Sequence, residues 1–150
     1  MADVVSRDVR SRMMAGIRAK NTKPELLLRR ELHARGFRYR LHDKRLAGKP
    51  DLVFPRFKAV IFVHGCFWHG HSCPLFKWPK TRQKFWRDKI EGNRARDLAN
   101  EVVLLDNEWR VGSVWECALR GRTRRDTPEL IDQCTAWLQS DVAQLDIAGI

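Results

Sequence analysis

Pro50-Asp51-Leu52-Val53-Phe54-Pro55-Arg56-Phe57-Lys58-Ala59-Val60-Ile61-Phe62-Val63-His64 is the stretch on which the fold turns. Gly48-Lys49-Pro50 leads into Asp51-Leu52-Val53-Phe54, and Pro55-Arg56 turns the chain again into Ala59-Val60-Ile61-Phe62-Val63-His64. Short runs this continuously apolar belong in the middle of a sheet covered on both faces, and the pair predicts a buried hairpin. Asp51 is the exception within it. A carboxylate at the start of a buried strand is costly unless it meets a cation or a strong donor.

Upstream, Thr22-Lys23-Pro24-Glu25 has the form of a capping box, with Pro in the first helical turn. Leu26, Leu27, Leu28 and Leu32 are expected to form the buried stripe of that helix, and Gly36 to stop it. Phe37, Tyr39 and Leu41 alternate with Arg38 and Arg40, as in a half-exposed strand. Residues 1–21 are basic and polar, with Met13, Met14 and Ile17 at helical spacing, and are expected to form a mobile arm that orders on a partner.

Downstream, residues 65–80 form an irregular segment rich in Cys, His, Trp, Phe and Pro, too apolar for a solvated linker. A helical pattern runs from Thr81 to Asp106, with a candidate break at Gly92-Asn93. A strand is expected over Trp109–Trp115 and a last helix over Pro128–Gln139, with the tail 140–150 frayed and 22–139 one domain. The order of elements predicts an α/β fold with a mixed central sheet flanked by helices.

Charge narrows the partner. The 150-residue chain carries 29 Lys and Arg against 18 Asp and Glu, a net +11 with pI near 10.2, and interleaves them with aromatics. Phosphate attraction combined with stacking capacity favours nucleic acid over a membrane surface or an acidic protein. No signal h-region or bilayer-length apolar run is evident, so a cytoplasmic location is expected.

The four cysteines of such a chain are read as metal ligands or core rather than disulfides. Cys66, His69, His71 and Cys73 lie close together, and Cys117 follows the Trp115 strand. Three Cys and one His would close a tetrahedral structural zinc site and give the irregular loop a core. Spacing leaves open which histidine ligates; two residues apart on extended chain, they point to opposite sides. Cys134 is read as core packing. Asp51 and His64 lie at one end of the hairpin, next to the loop with His69, and Trp86, Lys89, Asn93 and Asp97 form one helical stripe.

Three runs carry a resemblance: Gly48-Lys49-Pro50-Asp51-Leu52-Val53-Phe54, Phe62-Val63-His64-Gly65-Cys66-Phe67-Trp68-His69-Gly70-His71-Ser72-Cys73, and Val114-Trp115-Glu116-Cys117-Ala118-Leu119-Arg120-Gly121. The chain resembles the very short patch repair (Vsr) DNA mismatch endonucleases, relatives in fold of type II restriction enzymes. The resemblance implies a strand-specific nick at T:G mismatches left by deaminated 5-methylcytosine. It implies Mg2+ held by Asp51 and the backbone carbonyl of Val63, with His64 near the scissile phosphate and His69, oriented by Asp97, activating water. It further implies zinc on Cys66, His71, Cys73 and Cys117, and an aromatic wedge of Phe67, Trp68 and Trp86. Met14 is expected on the opposite groove, with Lys89 and Asn93 on the DNA-facing edge.

Glu25, an acid of the first long helix, is divided between capping and a place near the metals. Double-stranded DNA is the expected partner, with mismatch-repair and resynthesis proteins beyond it, for a monomer associated with the nucleoid. Two rivals share the charge and the aromatics: a zinc module that binds DNA without cutting, which has no need for Asp51, His64 and His69, and an endonuclease that cuts both strands of matched DNA.

Overall fold

The computed structural model of the chain describes residues 22–150; the N-terminal arm, Met14 included, lies outside them. Helix α1 spans Lys23–Ala34, strand β1 Arg40–Leu41, β2 Leu52–Phe54 and β3 Ala59–His64. Helix α2 spans Gln83–Asp106, β4 Arg110–Trp115, the single turn α3 Glu116–Leu119, α4 Thr127–Leu138 and β5 Gln144–Ile147. The strands form one sheet in the order β1-β2-β3-β4-β5. The first three are antiparallel, whereas β3–β4 and β4–β5 are parallel, so the sheet is mixed and helices make the crossovers.

The expected hairpin is present, with Leu52 opposite Ile61 and Val53 opposite Val60. Alternation divides its side chains between two cores. Leu52, Phe54, Ile61 and Val114 pack with Leu28 and Leu32 of α1 and with Leu130, Ile131 and Cys134 of α4. Val53, Val60 and Val111 face the other way and meet Leu104 of α2. Gly112 lets α4 cross the sheet closely, since a Cβ there would lie 3.1 Å from the Trp137 ring and press on it.

Four expectations are corrected. Leu26 is exposed rather than part of the buried stripe, which runs through Glu25, Leu28 and Leu32. The strand over 37–41 shrinks to Arg40–Leu41: the Phe37 amide donates back to the Leu32 carbonyl, and the ring turns into the core against Phe57. Helix α2 starts at Gln83 and passes through Gly92 unbroken. The tail carries β5 instead of fraying. Ile147 is buried in the core, and Arg110 donates to the carbonyls of Trp137, Leu138 and Val142, which holds the connection from α4 to β5.

Candidate active site

The consequence of this topology is a cleft of about 1230 Å³ beside the C-terminal end of β3, bounded by α1, α2 and the 65–80 loop. Asp51 enters it from the start of β2. Its Oδ2 accepts the Val63 amide at 2.7 Å across the hairpin, so the strong donor that its burial demanded is the backbone of β3. That bond does not fully compensate. Burial, then the neighbouring charge of Glu25, hold the Asp51 carboxyl well above the usual range, up to about 7, with the Val63 amide opposing them.

Glu25 is the buried carboxylate at the N-terminal end of the α1 stripe. Its backbone amide reaches the Thr22 cap at 3.4 Å, while its Oε2 accepts from Arg29 at 3.1 Å and lies 2.8 Å from His42 Nε2. The side chain therefore belongs to the cleft as well as the helix start. Glu25, His42 and Asp51 present ligand atoms within 4.8 Å of one another, a group able to hold a metal ion. His42 was missed in the sequence, where it follows the apparent strand without any motif of its own.

A second group, His64, His69 and Asp97, lies in the same cleft. His64 faces the α2 side, its ring stacked parallel on Phe62 at 5.5 Å, with His69 at 4.4 Å and Trp115 at 4.8 Å. Burial, reinforced by His69, lowers its pKa to about 4, so its imidazole is neutral near pH 7. His69 Nδ1 is hydrogen-bonded to the Asp97 carboxylate of α2. Such a bond fixes the ring orientation and leaves Nε2 as the free nitrogen.

His71, two residues on, points away to Cys66, Cys73 and Cys117, the third metal-capable group. A tetrahedral ion on sulfur and nitrogen sets those donors about 3.5 Å apart, and His71 Nδ1 lies 3.6 Å from Cys117 Sγ. Backbone amides already converge on the thiols: Cys117 donates to Cys66 Sγ at 3.3 Å and Gly149 to Cys117 Sγ at 3.2 Å. Burial, joined by the neighbouring Cys73 and Cys117 thiols and opposed by the Cys117 amide, pushes the Cys66 thiol up, so a cation is what would favour the thiolate there. Donor types, spacing and second-layer amides all fit a structural metal. Cys134 is apart, fully buried in the core.

Trp115 joins the two regions. It stacks on His71 at 4.2 Å, borders His64, and is held by its Nε1–H donating to Asp146 of β5 at 2.7 Å. Glu116 ties the loop start to β4 by accepting the Cys66 amide at 3.2 Å. Neither role was legible, since both depend on the parallel β3–β4 pairing that sets His64 beside Trp115.

At the mouth, Phe67, Trp68 and Trp86 form one half-buried group with centroids 5.2–5.8 Å apart. Trp86, Lys89, Asn93 and Asp97 line the cleft from one side of the unbroken α2. Asn93 has a partner within the protein, donating to the Trp68 carbonyl at 2.8 Å, and so positions the aromatic loop.

The sequence model of the family described as DNA mismatch endonuclease Vsr matches residues 2–75. The DNA mismatch endonuclease Vsr of Escherichia coli (strain K12) is 42% identical, spanning 100% of this chain and 97% of that protein. The type II nicking enzyme V.XorIIP of Xanthomonas oryzae pv. oryzae is 50% identical over 79% of this chain and 88% of its own length. V.NmeAIP of Neisseria meningitidis, also a type II nicking enzyme, is 47% identical over 81% and 87%. With identity of this order across nearly whole chains, and the resembling motifs gathered around one cleft, the chain belongs to the Vsr family of DNA mismatch endonucleases and is a DNA endonuclease.

Proposed function

We propose that this endonuclease nicks one strand of duplex DNA at T:G mismatches, by magnesium-dependent hydrolysis, to start very short patch repair. The observation that carries the reading is the meeting of two unlike units in one cleft: the Glu25–Asp51 carboxylates and the Asp97-anchored His69. Asp51 and the Val63 carbonyl, with Glu25 beside them, would hold the ion. Bound there, magnesium would neutralise charge gathering on the phosphate and ease departure of the 3′ oxygen.

His69 is the general base in this reading. Its Nδ1 is engaged by Asp97, so Nε2 is the nitrogen that takes a proton from the attacking water, and Asp97 stabilises the resulting imidazolium. His64 is neutral near pH 7, and its contribution is a hydrogen bond to a phosphate oxygen rather than the fixed charge a lysine would bring. Phe67, Trp68 and Trp86 act as a wedge beside the mismatch. A wobble pair stacks less well than a Watson–Crick pair, so opening the step next to it costs less. Lys89 and the basic surface act on the backbone at any sequence. Zinc on Cys66, His71, Cys73 and Cys117 holds the loop that carries the wedge and His69. The protein would act as a monomer in the cytoplasm, on the nucleoid, with mismatch-repair and resynthesis proteins following it; among the described residues no helix is long and apolar enough to cross a membrane.

Asp51→Ala is expected to abolish magnesium-dependent nicking of a T:G duplex, with circular dichroism and mismatch binding close to wild type; retained nicking would refute the reading. His69→Ala should lose at least about 10²-fold in rate, and Asp97→Asn less. Nicks in both strands of matched DNA would favour the rival endonuclease.

Trp68→Ala and Trp86→Ala are expected to reduce T:G over matched discrimination more than they reduce affinity for matched duplex, read by competition binding at fixed salt. Equal losses on both duplexes would assign these rings to packing alone.

Purified protein should contain about one zinc per chain, and Cys117→Ser should lower the melting temperature more than Cys134→Ser does. Folded, active protein with far less zinc would contradict the assignment.

Without added magnesium, the Asp51 contribution to stability should fall as pH rises from about 4 to about 7, while His64, whose pKa burial lowers to about 4, contributes with the opposite sign, so the Asp51 part is read as the difference from Asp51→Asn. The sign follows from the raised carboxyl: in that window folded Asp51 keeps a proton that the unfolded chain releases. Asp51→Asn should therefore be the more stable protein above pH 7, the gap closing near pH 4, as measured by urea melts.

A further inference from the structure

His42 follows β1 directly, with a left-handed backbone at φ 47° that residues with a Cβ rarely adopt. Its amide donates to the Asp51 carbonyl at 3.1 Å, which secures that conformation and keeps the residue at the cleft edge. Nε2 lies 2.8 Å from Glu25 Oε2 and 3.8 Å from Asp51 Oδ1. The bond to Asp51, rather than the left-handed turn that Lys49, Lys58, Arg82 and Glu108 also adopt, is what places the imidazole beside the carboxylates.

The two separations resemble the edges of a coordination sphere. A six-coordinate ion with bonds of about 2.1 Å sets adjacent donors about 3 Å apart and opposite donors about 4 Å apart. A hydrogen bond explains the Glu25 contact, but 3.8 Å is too long for one to Asp51. Imidazole and both carboxylates nevertheless offer ligand atoms that all lie within 4.8 Å of one another.

We propose that His42 is a nitrogen ligand of the divalent ion held by Glu25 and Asp51, and that it biases this site toward Mn2+ over Mg2+. The inference rests on the metal-dependent reading above and adds a donor to it. Carboxylates and a backbone carbonyl alone would make an all-oxygen site, the set magnesium prefers. Imidazole changes the ranking, because first-row transition ions accept it more readily than magnesium does.

The test uses the full chain with its Cys/His cluster loaded with zinc. Mn2+ binding is followed by loss of the free-ion EPR signal, and Mg2+ binding by displacement of bound Mn2+. Wild type is compared with His42→Asn, His42→Gln and Asp51→Asn. Asn tolerates left-handed backbone, Gln offers oxygen in place of the ring nitrogen, and thermal melts of both variants separate a folding defect from a lost ligand. Both His42 variants should lose about tenfold or more in Mn2+ affinity, with Mg2+ affinity changed by less than about threefold, and the Mn2+ to Mg2+ ratio of nicking rates should fall with them. Unchanged Mn2+ affinity, or equal losses for both ions, overturns the proposal and leaves His42 as a residue that merely steadies Glu25. If instead wild type binds Mn2+ no better than Asp51→Asn does, the metal-dependent reading itself fails, and this inference with it.

Discussion

The hydrogen bond from the Val63 amide to the Asp51 carboxylate ties the sheet to the chemistry. Leu52 and Ile61 are paired in the centre of the sheet, and the apolar contacts on both faces leave this register no freedom to slip. One step further along the same hairpin, the pairing delivers a carboxylate to the end of β3 and points it at α1 and α2. A one-residue slip of β2 would send Asp51 to the α4 face, away from His64, which β4 keeps in place. The core thus determines where the charges stand, and the long helix α2 closes the space above them.

Trp115 extends that register to the second half of the site. Parallel pairing sets it beside His64, and its indole separates the histidine that faces Asp97 from the one that faces the cysteines. His69 and His71 are two residues apart, and the turn between them, with Gly70 in left-handed backbone, sends one to Asp97 and the other to the cysteines. A loop held by a metal on one side can therefore present an oriented imidazole on the other. Gly70 between them has φ 60°, and a Cβ there would lie 2.7 Å from Ile90. Few residue types would keep this spacing and still let α2 pack so closely.

Much of this was legible in the sequence, because the decisive patterns are local. Continuous apolar runs divided by Pro55-Arg56 identified the hairpin, and Cys/His density identified the loop whose donors gather into a metal-capable group. What failed depended on distant partners. Phe37 and Tyr39 alternate like strand residues, yet Phe37 goes to the core because Leu32 accepts its amide and Phe57 receives its ring. Gln144-Leu145-Asp146-Ile147 alternates in the strand manner too, but four residues at a chain end carry little weight until β4 offers an edge. His42 was invisible for a different reason. Its role comes from a backbone bond to Asp51, and nothing in the surrounding composition announces that contact.

Charge distribution sets a constraint that these local devices must satisfy together. The chain is strongly basic, at +11, a net charge that favours phosphates. Yet the point where chemistry would occur holds Glu25, Asp51 and Asp97, beside a His64 that burial keeps neutral. Arg29 and His42 compensate Glu25, and the Val63 amide partly compensates Asp51, whose raised pKa records what remains unbalanced. With Lys49 and Lys89 elsewhere in the cleft lining, a phosphodiester at that point would meet carboxylates. The repulsion is removed if a cation occupies the space between them, so the same acids that weaken the free protein become the ones that admit DNA. In the metal-dependent reading proposed above, a basic chain with an acidic centre would bind DNA generally and react only where the ion is held.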